Sequence, residues 1–254
     1  MYKESFLMAW ASLIANKMRS ILTMLGIIIG VAAVIALVSI GNGVKQDIQN
    51  SISSLGSNLL MVMPGAPRTP GVRPSPGSMK SLKVADYEAI AKLDGVKAAS
   101  PMTNGGYVVI YQNKNWTTSV SGVNANYLDV NNWTMKSGRF LSEKNVQNRE
   151  RVAVVGKTVV KNLFGDEDPV GKEIRVKNIP FRIIGVLNSK GSGAMGNDQD
   201  DMVIIPYTTA MERVDGIDYL RMIYVVGKDE NGIDRLQSDI ENLLRVRHGT
   251  KDTN

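Results

Sequence analysis

The sequence predicts an α+β membrane protein, in which an N-terminal amphipathic helix and a transmembrane helix precede an extracytoplasmic domain of mixed helix and strand. Three observations carry this reading. The stretch Ile21 to Ile40 contains no charged residue. Basic residues crowd its N-terminal side. Beyond Leu59, apolar runs with the period of a strand and runs with the period of a helix alternate, separated by Gly, Pro and Asn.

The uncharged stretch of about 20 residues reaches roughly 30 Å as a helix, the thickness of a hydrocarbon layer. A secretory signal has an apolar core of only about 7 to 15 residues ending in small side chains, and Val38-Ser39-Ile40 is a poor cleavage site. A soluble core helix is rarely apolar on every face over five turns. Spanning is the reading that fits. Lys3, Lys17 and Arg19 precede the segment with only Glu4 opposing, whereas Lys45 and Asp47 follow it. The positive side stays in the cytoplasm, so residues beyond Gly41 face the periplasm or exterior.

The 254 residues leave room for a core of ordinary size outside the membrane, and with no cysteine that core must be apolar rather than disulfide-linked. Thiol redox chemistry is excluded. The net charge of +6 is spread among acids and no groove-reading motif accompanies it, which argues against nucleic acid as a partner.

In chain order, Phe6, Trp10, Leu13 and Ile14 recur at helical spacing between Tyr2 and Ser20, predicting an amphipathic helix at the cytoplasmic interface. After the span, Val44, Ile48, Ile52 and Leu55 keep the helical spacing, so the helix projects from the membrane with a soft point at Gly41 to Gly43. Leu59 to Met63 reads as a strand. Pro64 to Gly77, with five prolines and three glycines, is a loop. Val84 to Leu93 predicts a helix and Val96 to Ser100 a strand, making a β-α-β unit with the first strand. Tyr107 to Gln112 and Thr117 to Val123 predict a hairpin turning at Asn113-Lys114-Asn115.

Arg151 to Val155 predicts a strand and Lys157 to Phe164 a helix closed by Gly165. Glu173 to Val176 and Phe181 to Val186 form a strand pair turning at Asn178-Ile179-Pro180, and Ser189 to Gln199 is a glycine-rich loop. Met202 to Ile205 follows as a strand, Tyr207 to Arg213 as a helix and Met222 to Val226 as a strand. The last element is a helix over Ile233 to Arg247, with Leu236, Ile240, Leu243 and Leu244 on one face.

Several stretches imitate chemical sites. Val152 to Val155 with Gly156-Lys157-Thr158 copies the strand, GK[ST], helix order of a nucleotide loop, but Arg151 stands where the first glycine belongs. Asp198, Asp200 and Asp201 cluster like hard-cation ligands without the calcium-loop pattern, because position 202 is Met and no Glu closes the loop. His248 is the only histidine and reads as a surface residue. Asn115-Trp116-Thr117 and Asn132-Trp133-Thr134 match a glycan acceptor pattern by chance. No catalytic, cofactor or metal residues emerge. Gly26-Ile-Ile-Ile-Gly30, extended by Ala33, differs from these: small residues four apart on a membrane helix let another helix approach closely.

The run Asn16-Lys-Met-Arg-Ser-Ile-Leu-Thr-Met-Leu-Gly-Ile-Ile-Ile-Gly-Val31, with Ile40-Gly-Asn-Gly-Val44 and Leu55-Gly-Ser-Asn58, closely resembles the opening of MacB-type ABC transporter permeases, the macrolide-exporter family. Gly138-Arg-Phe140, Val152 to Gly156, Leu163-Phe-Gly165, Asp168-Pro-Val-Gly171, Ile184-Gly-Val186 and Asp200 to Pro206 resemble, in order, that family's periplasmic core domain. The resemblance covers essentially the whole chain.

It implies an α/β porter subdomain with an inserted β-rich subdomain. The implied divisions are 1–56 for the helices and stalk, 57–104 and 218–254 for the porter, and 105–217 for the insert. It also implies a non-catalytic permease portion in a bacterial inner membrane, lacking three of the family's four membrane helices and the strand that precedes the second. The expected partners are a separate ABC ATPase subunit, a second permease copy, a periplasmic adaptor and the bilayer, with no cofactor. Gly26, Gly30 and Ala33 are the expected packing residues and Gly41 and Gly43 the expected coupling hinge. The rival expectations are a lipoprotein-releasing permease and a single-pass binding or sensor domain.

Overall fold

The computed structural model describes residues 8, 17–55, 58–65, 80–193, 197–229 and 232–249. Most of the amphipathic segment, most of the proline-rich stretch and the side chains of Val44, Ile48, Ile52 and Leu55 lie outside the described residues. The chain forms two units, Met1–Asn50 and Ser51–Asn254.

Helix α1 runs unbroken over Lys17–Leu55, 39 residues. At about 1.5 Å per residue it is roughly 58 Å long, against roughly 30 Å of hydrocarbon. Every large apolar side chain from Met18 to Ile40 is exposed. Such a surface is costly in water and suits lipid. The helix is unbroken at the expected soft point, since Gly41 and Gly43 lie in helical backbone without positive φ. The ladder of hydrogen bonds continues through them, and each glycine's cost of about 1 kcal/mol is too small to break a helix of this length.

The second unit has β1 (Leu59–Val62), α2 (Val84–Ile90), β2 (Val96–Tyr111), β3 (Lys114–Val123), α3 (Tyr127–Val130), β4 (Met135–Gly138), α4 (Glu143–Gln147) and β5 (Val152–Val155). There follow α5 (Lys157–Leu163), β6 (Glu173–Val176), β7 (Ile179–Leu187), β8 (Met202–Pro206), α6 (Tyr207–Thr209), β9 (Met222–Gly227) and α7 (Ile233–His248). The strands lie in the order β1-β9-β2-β3-β8-β5-β7-β4, with β6 bridging β2 and β7.

The expected β-α-β unit is present but split. Strands β1 and β2 both run antiparallel to β9, which lies between them. They are therefore parallel to each other without touching. The two strands expected at Val96 to Ser100 and Tyr107 to Gln112 are one strand of 16 residues. Its first part pairs with β9 as far as Met102, and its second pairs with β3 from Thr103 onward. Pairing of this kind keeps the backbone extended through Pro101, Gly105 and Gly106.

Both predicted hairpin turns move by one residue or more. Tyr111 faces Lys114 in register, so β2 turns into β3 at Gln112-Asn113. Val176 faces Ile179, and the turn consists of Lys177 at φ 50° and Asn178 at φ 65°. Two central residues with positive φ match the right-handed twist of the strands, which is why Pro180 lies inside β7 instead of the turn. The helix expected from Tyr207 is a single α turn that widens into a π turn at Ala210–Asp215 and stops at Gly216, φ 65°.

Three apolar clusters form the core. One, beneath α2 and α7, unites Leu82, Ile90, Leu220, Ile223, Val225, Leu236 and Ile240. The other two lie on opposite faces of the longer part of the sheet. Ala153, Val155, Val203 and Ile205 face one way, and Val152, Val154 and Ile204 the other. Both faces are buried, so these strands read as continuous apolar runs. In β7, Phe181, Ile183 and Val186 share a face while Ile184 and Leu187 take the opposite one. The alternation changes phase at Gly185, where the register with β5 also shifts by one residue.

Candidate functional site

On α1, Gly26, Gly30 and Ala33 occupy one stripe, because residues four and seven apart return to nearly the same face at about 100° per residue. A Cβ added at Gly26 or Gly30 meets nothing within 4 Å. The stripe is open among the described residues. If it seats a partner helix, Gly30→Leu blocks close approach while Val31→Leu, on a different face, does not. We expect Gly30→Leu to weaken self-association in detergent by several-fold, read by size and by cross-linking. Equal assembly of the two variants would show a lipid-facing stripe.

Gly41 and Gly43 likewise have nothing within 4 Å of an added Cβ. They are exposed and helical, and nothing local demands glycine at either position.

The loops that imitate chemical sites are used up by the fold. The Gly156 amide donates to the Met202 carbonyl at 2.9 Å and the Thr158 amide to the Asp200 carbonyl at 3.3 Å. These amides are the ones a phosphate cradle would require. Asp200 is buried, and its carboxylate accepts from the amides of Lys190 at 2.7 Å and Gly191 at 3.2 Å and from the Ser189 hydroxyl. Asp198 accepts from Thr158 Oγ1 at 2.6 Å, and Asp201 from Trp116 Nε1 at 2.8 Å. The three carboxylates therefore act as anchors for the glycine-rich loop, and no group of three or more potential metal ligands gathers among the described residues. Lys190 Nζ donates to the Asn131 carbonyl at 2.6 Å and lies 4.7 Å from the centre of the Trp133 ring, holding the same loop from the other side.

A polar cluster that the sequence did not suggest joins α2 to α7. Asp86, 3% exposed, accepts from the Lys83 amide at 2.9 Å, from Arg247 Nε at 2.7 Å, and contacts His248 Nε2 at 2.9 Å. Burial opposes the charge on Asp86, but the hydrogen bonds from Arg247, the Lys83 amide and His248 together outweigh it and hold the pKa below the ordinary 3.8. His248, expected at the surface, is thus half-buried against a carboxylate 162 positions away. No local pattern signals a partner at that separation.

The family model described as the MacB-like periplasmic core domain matches residues 20–243. The macrolide export ATP-binding/permease protein MacB of Rhodospirillum rubrum is 45% identical over 253 residues, covering 99% of this chain and 38% of that protein. The MacB of Marinobacter nauticus is 39% identical over 251 residues, with the same 99% and 38% coverage. The chain thus spans 38% of the length of these relatives. Among solved structures, the periplasmic region of MacB from Actinobacillus actinomycetemcomitans superposes with a TM-score of 0.68 at 27% identity, over 79% of this chain and 89% of that one. The extracellular domain of the noncanonic ABC-type transporter YknZ from Gram-positive bacteria shares the fold, with a TM-score of 0.63 at 20% identity over 76% of this chain and 96% of that one. Among the described residues one helix, Lys17–Gly41, is long and apolar enough to cross a membrane, and the match begins inside it. The match extends from within that helix into α7, and the chain belongs to the MacB-like periplasmic core domain family.

Proposed function

We propose that this chain is the N-terminal portion of the permease of a MacB-like ABC exporter, with a cytoplasmic N-terminus, α1 crossing the inner membrane and the following domain in the periplasm. The observation that carries this reading is the family match, which begins inside the helix that holds the uncharged stretch and extends into α7. The chain performs no catalysis in this scheme. ATP is hydrolysed on a separate ATPase subunit, and α1 conveys the resulting displacement outward as a stiff rod. A second permease copy packs along Gly26, Gly30 and Ala33, and a periplasmic adaptor receives the outer domain.

We read the outer domain as a porter subdomain, 57–104 and 218–254, with an insert at 105–217. The change of partner along β2, from β9 at Met102 to β3 at Thr103, supports a division close to residue 104. The outer edge of β1 pairs with no described strand, and Met61 and Met63 are 53% and 49% exposed there. Together with Gln237, Ile240, Glu241 and Leu244 of α7 they line a groove. In the longer permease, this edge would take the strand that the family resemblance places after α7.

Orientation is tested with single cysteines, which the chain otherwise lacks. In intact cells an impermeant thiol reagent should label Ser192→Cys, at an exposed loop position, and leave Ser12→Cys unlabelled. Labelling confined to Ser12→Cys would refute the topology and, with it, the export reading.

A further inference from the structure

We propose that Asp86 is a latch that fixes the last turn of α7 to the first turn of α2, and that displacement reaching the end of α7 enters the β1-β9-β2 sheet through this joint. The second half of the inference rests on the export reading above. The first half stands on geometry alone.

Packing by itself does not require a carboxylate at this place. Leu236 and Ile240 already hold α7 against Ile90 and Leu220, and an apolar contact of that kind is non-directional and permits sliding or rotation. Charge-assisted hydrogen bonds are directional. Asp86 receives two from adjacent residues of one helix turn, Arg247 and His248, and a third from the Lys83 amide at the start of its own helix. Together they set both the axial position and the rotation of the end of α7.

The placement also suits each helix. Asp86 lies in the first turn of α2, where a negative charge is favoured, and Arg247 and His248 lie in the last turn of the 16-residue α7, where positive charge is favoured. Lys83 does not compete for the carboxylate, since its Nζ is engaged by Asp218 at 2.7 Å. Gly249 ends α7 immediately after the latch with φ 62°. The contact therefore sits where the polypeptide leaves the helix, the position at which a connection to further structure would pull.

The test uses the full-length transporter in lipid. Asp86→Asn and the milder Arg247→Gln should each speed amide exchange over residues 243–249 by on the order of tenfold to a hundredfold, leaving β9 unchanged. Export per ATP hydrolysed should fall in both. Asp86→Cys with His248→Cys, in this cysteine-free chain, should lose coupling when reduced and regain it when the two thiols are bridged directly or by a short bifunctional thiosulfonate. Unchanged exchange in both single variants would overturn the latch. Faster exchange with unaltered export per ATP would overturn its role as a joint. A wild-type transporter that exports nothing would instead remove the export reading, while the exchange measurement still decides the latch.

Discussion

A flexible Gly-Ser segment inserted after Gly43 should abolish export in the full-length transporter while ATP hydrolysis continues. The physical basis is the uninterrupted helix Lys17–Leu55, whose 39 residues exceed what the hydrocarbon layer needs by nearly a factor of two. A helix of that length transmits axial and rotational displacement. A Gly-Ser segment behaves as a random coil and absorbs it. Gly41→Ala is the matching control, because Gly41 has no positive φ and an added Cβ meets nothing within 4 Å. Alanine there should be tolerated, stiffening the helix by about 0.5–1 kcal/mol. Export and ATPase activity measured on the same reconstituted variants decide the matter. Full export with the insertion would reduce the outer domain to a passive docking surface. Loss of export in Gly41→Ala would show that the glycine is needed as a hinge after all.

Gly156→Ala should be severely damaging to the outer domain through a single added methyl. A Cβ at this position would stand 2.1 Å from the Asp200 carbonyl oxygen and 2.9 Å from its carbon, both rigid backbone atoms. Relief requires β5 and the turn entering β8 to separate. That movement breaks the Gly156 amide bond to Met202 and disturbs the register of Val154 with Ile204 and Val155 with Val203. It also displaces Asp200, on which Ser189, Lys190 and Gly191 depend. We expect a loss of about 3 kcal/mol or more, corresponding to a fall in Tm of roughly 6–12 °C for a domain of this size. Gly191→Ala isolates the other kind of glycine cost. Its φ is 74° with open space around the missing Cβ, so only the backbone penalty of about 1–2 kcal/mol applies. Thermal unfolding of both variants against wild type checks the ranking, and a Gly156→Ala protein as stable as Gly191→Ala would refute the steric account.

The chain shows which kinds of structural fact are local. The membrane span is a property of consecutive residues: Ile21 to Ile40 has no charge, and lipid selects for that whatever the rest of the chain does. Most strands and helices beyond Leu59 were readable for the same reason, since the period of the apolar residues is set within each element, but α3, β4 and α4, of four or five residues each, are too short to show a period and were not. Even the rejection of a phosphate loop at Gly156 needed only the placement of Arg151 and the valines before it. The family resemblance rested on contiguous runs as well, which is why it could be stated before any contact was known.

What remained hidden depends on partners far along the chain. Whether Gly105-Gly106 breaks a strand is decided by β3, which pairs with β2 through both glycines from Thr103 to Tyr111, and a propensity of a few tenths to one kcal/mol yields to several ladder hydrogen bonds. The phase change at Gly185 goes with a one-residue shift in the register of β7 against β5, a strand distant in sequence. Asp198, Asp200 and Asp201 read in sequence as a polar turn without the calcium-loop pattern, and only the folded chain brings them donors from residues 116, 158 and 189–191. Asp86 and His248 are ordinary residues in sequence, and only the packing of α7 over α2 makes them a pair. The amino-acid sequence by itself determined the membrane helix, most of the longer elements and the family, because each is written in neighbouring residues. The tertiary structure alone decided that β9 divides β1 from β2, that the acidic turn is an anchor and that one buried carboxylate ties two helix ends together, because those outcomes arise where hydrogen-bonding groups distant in sequence must find partners once water is excluded.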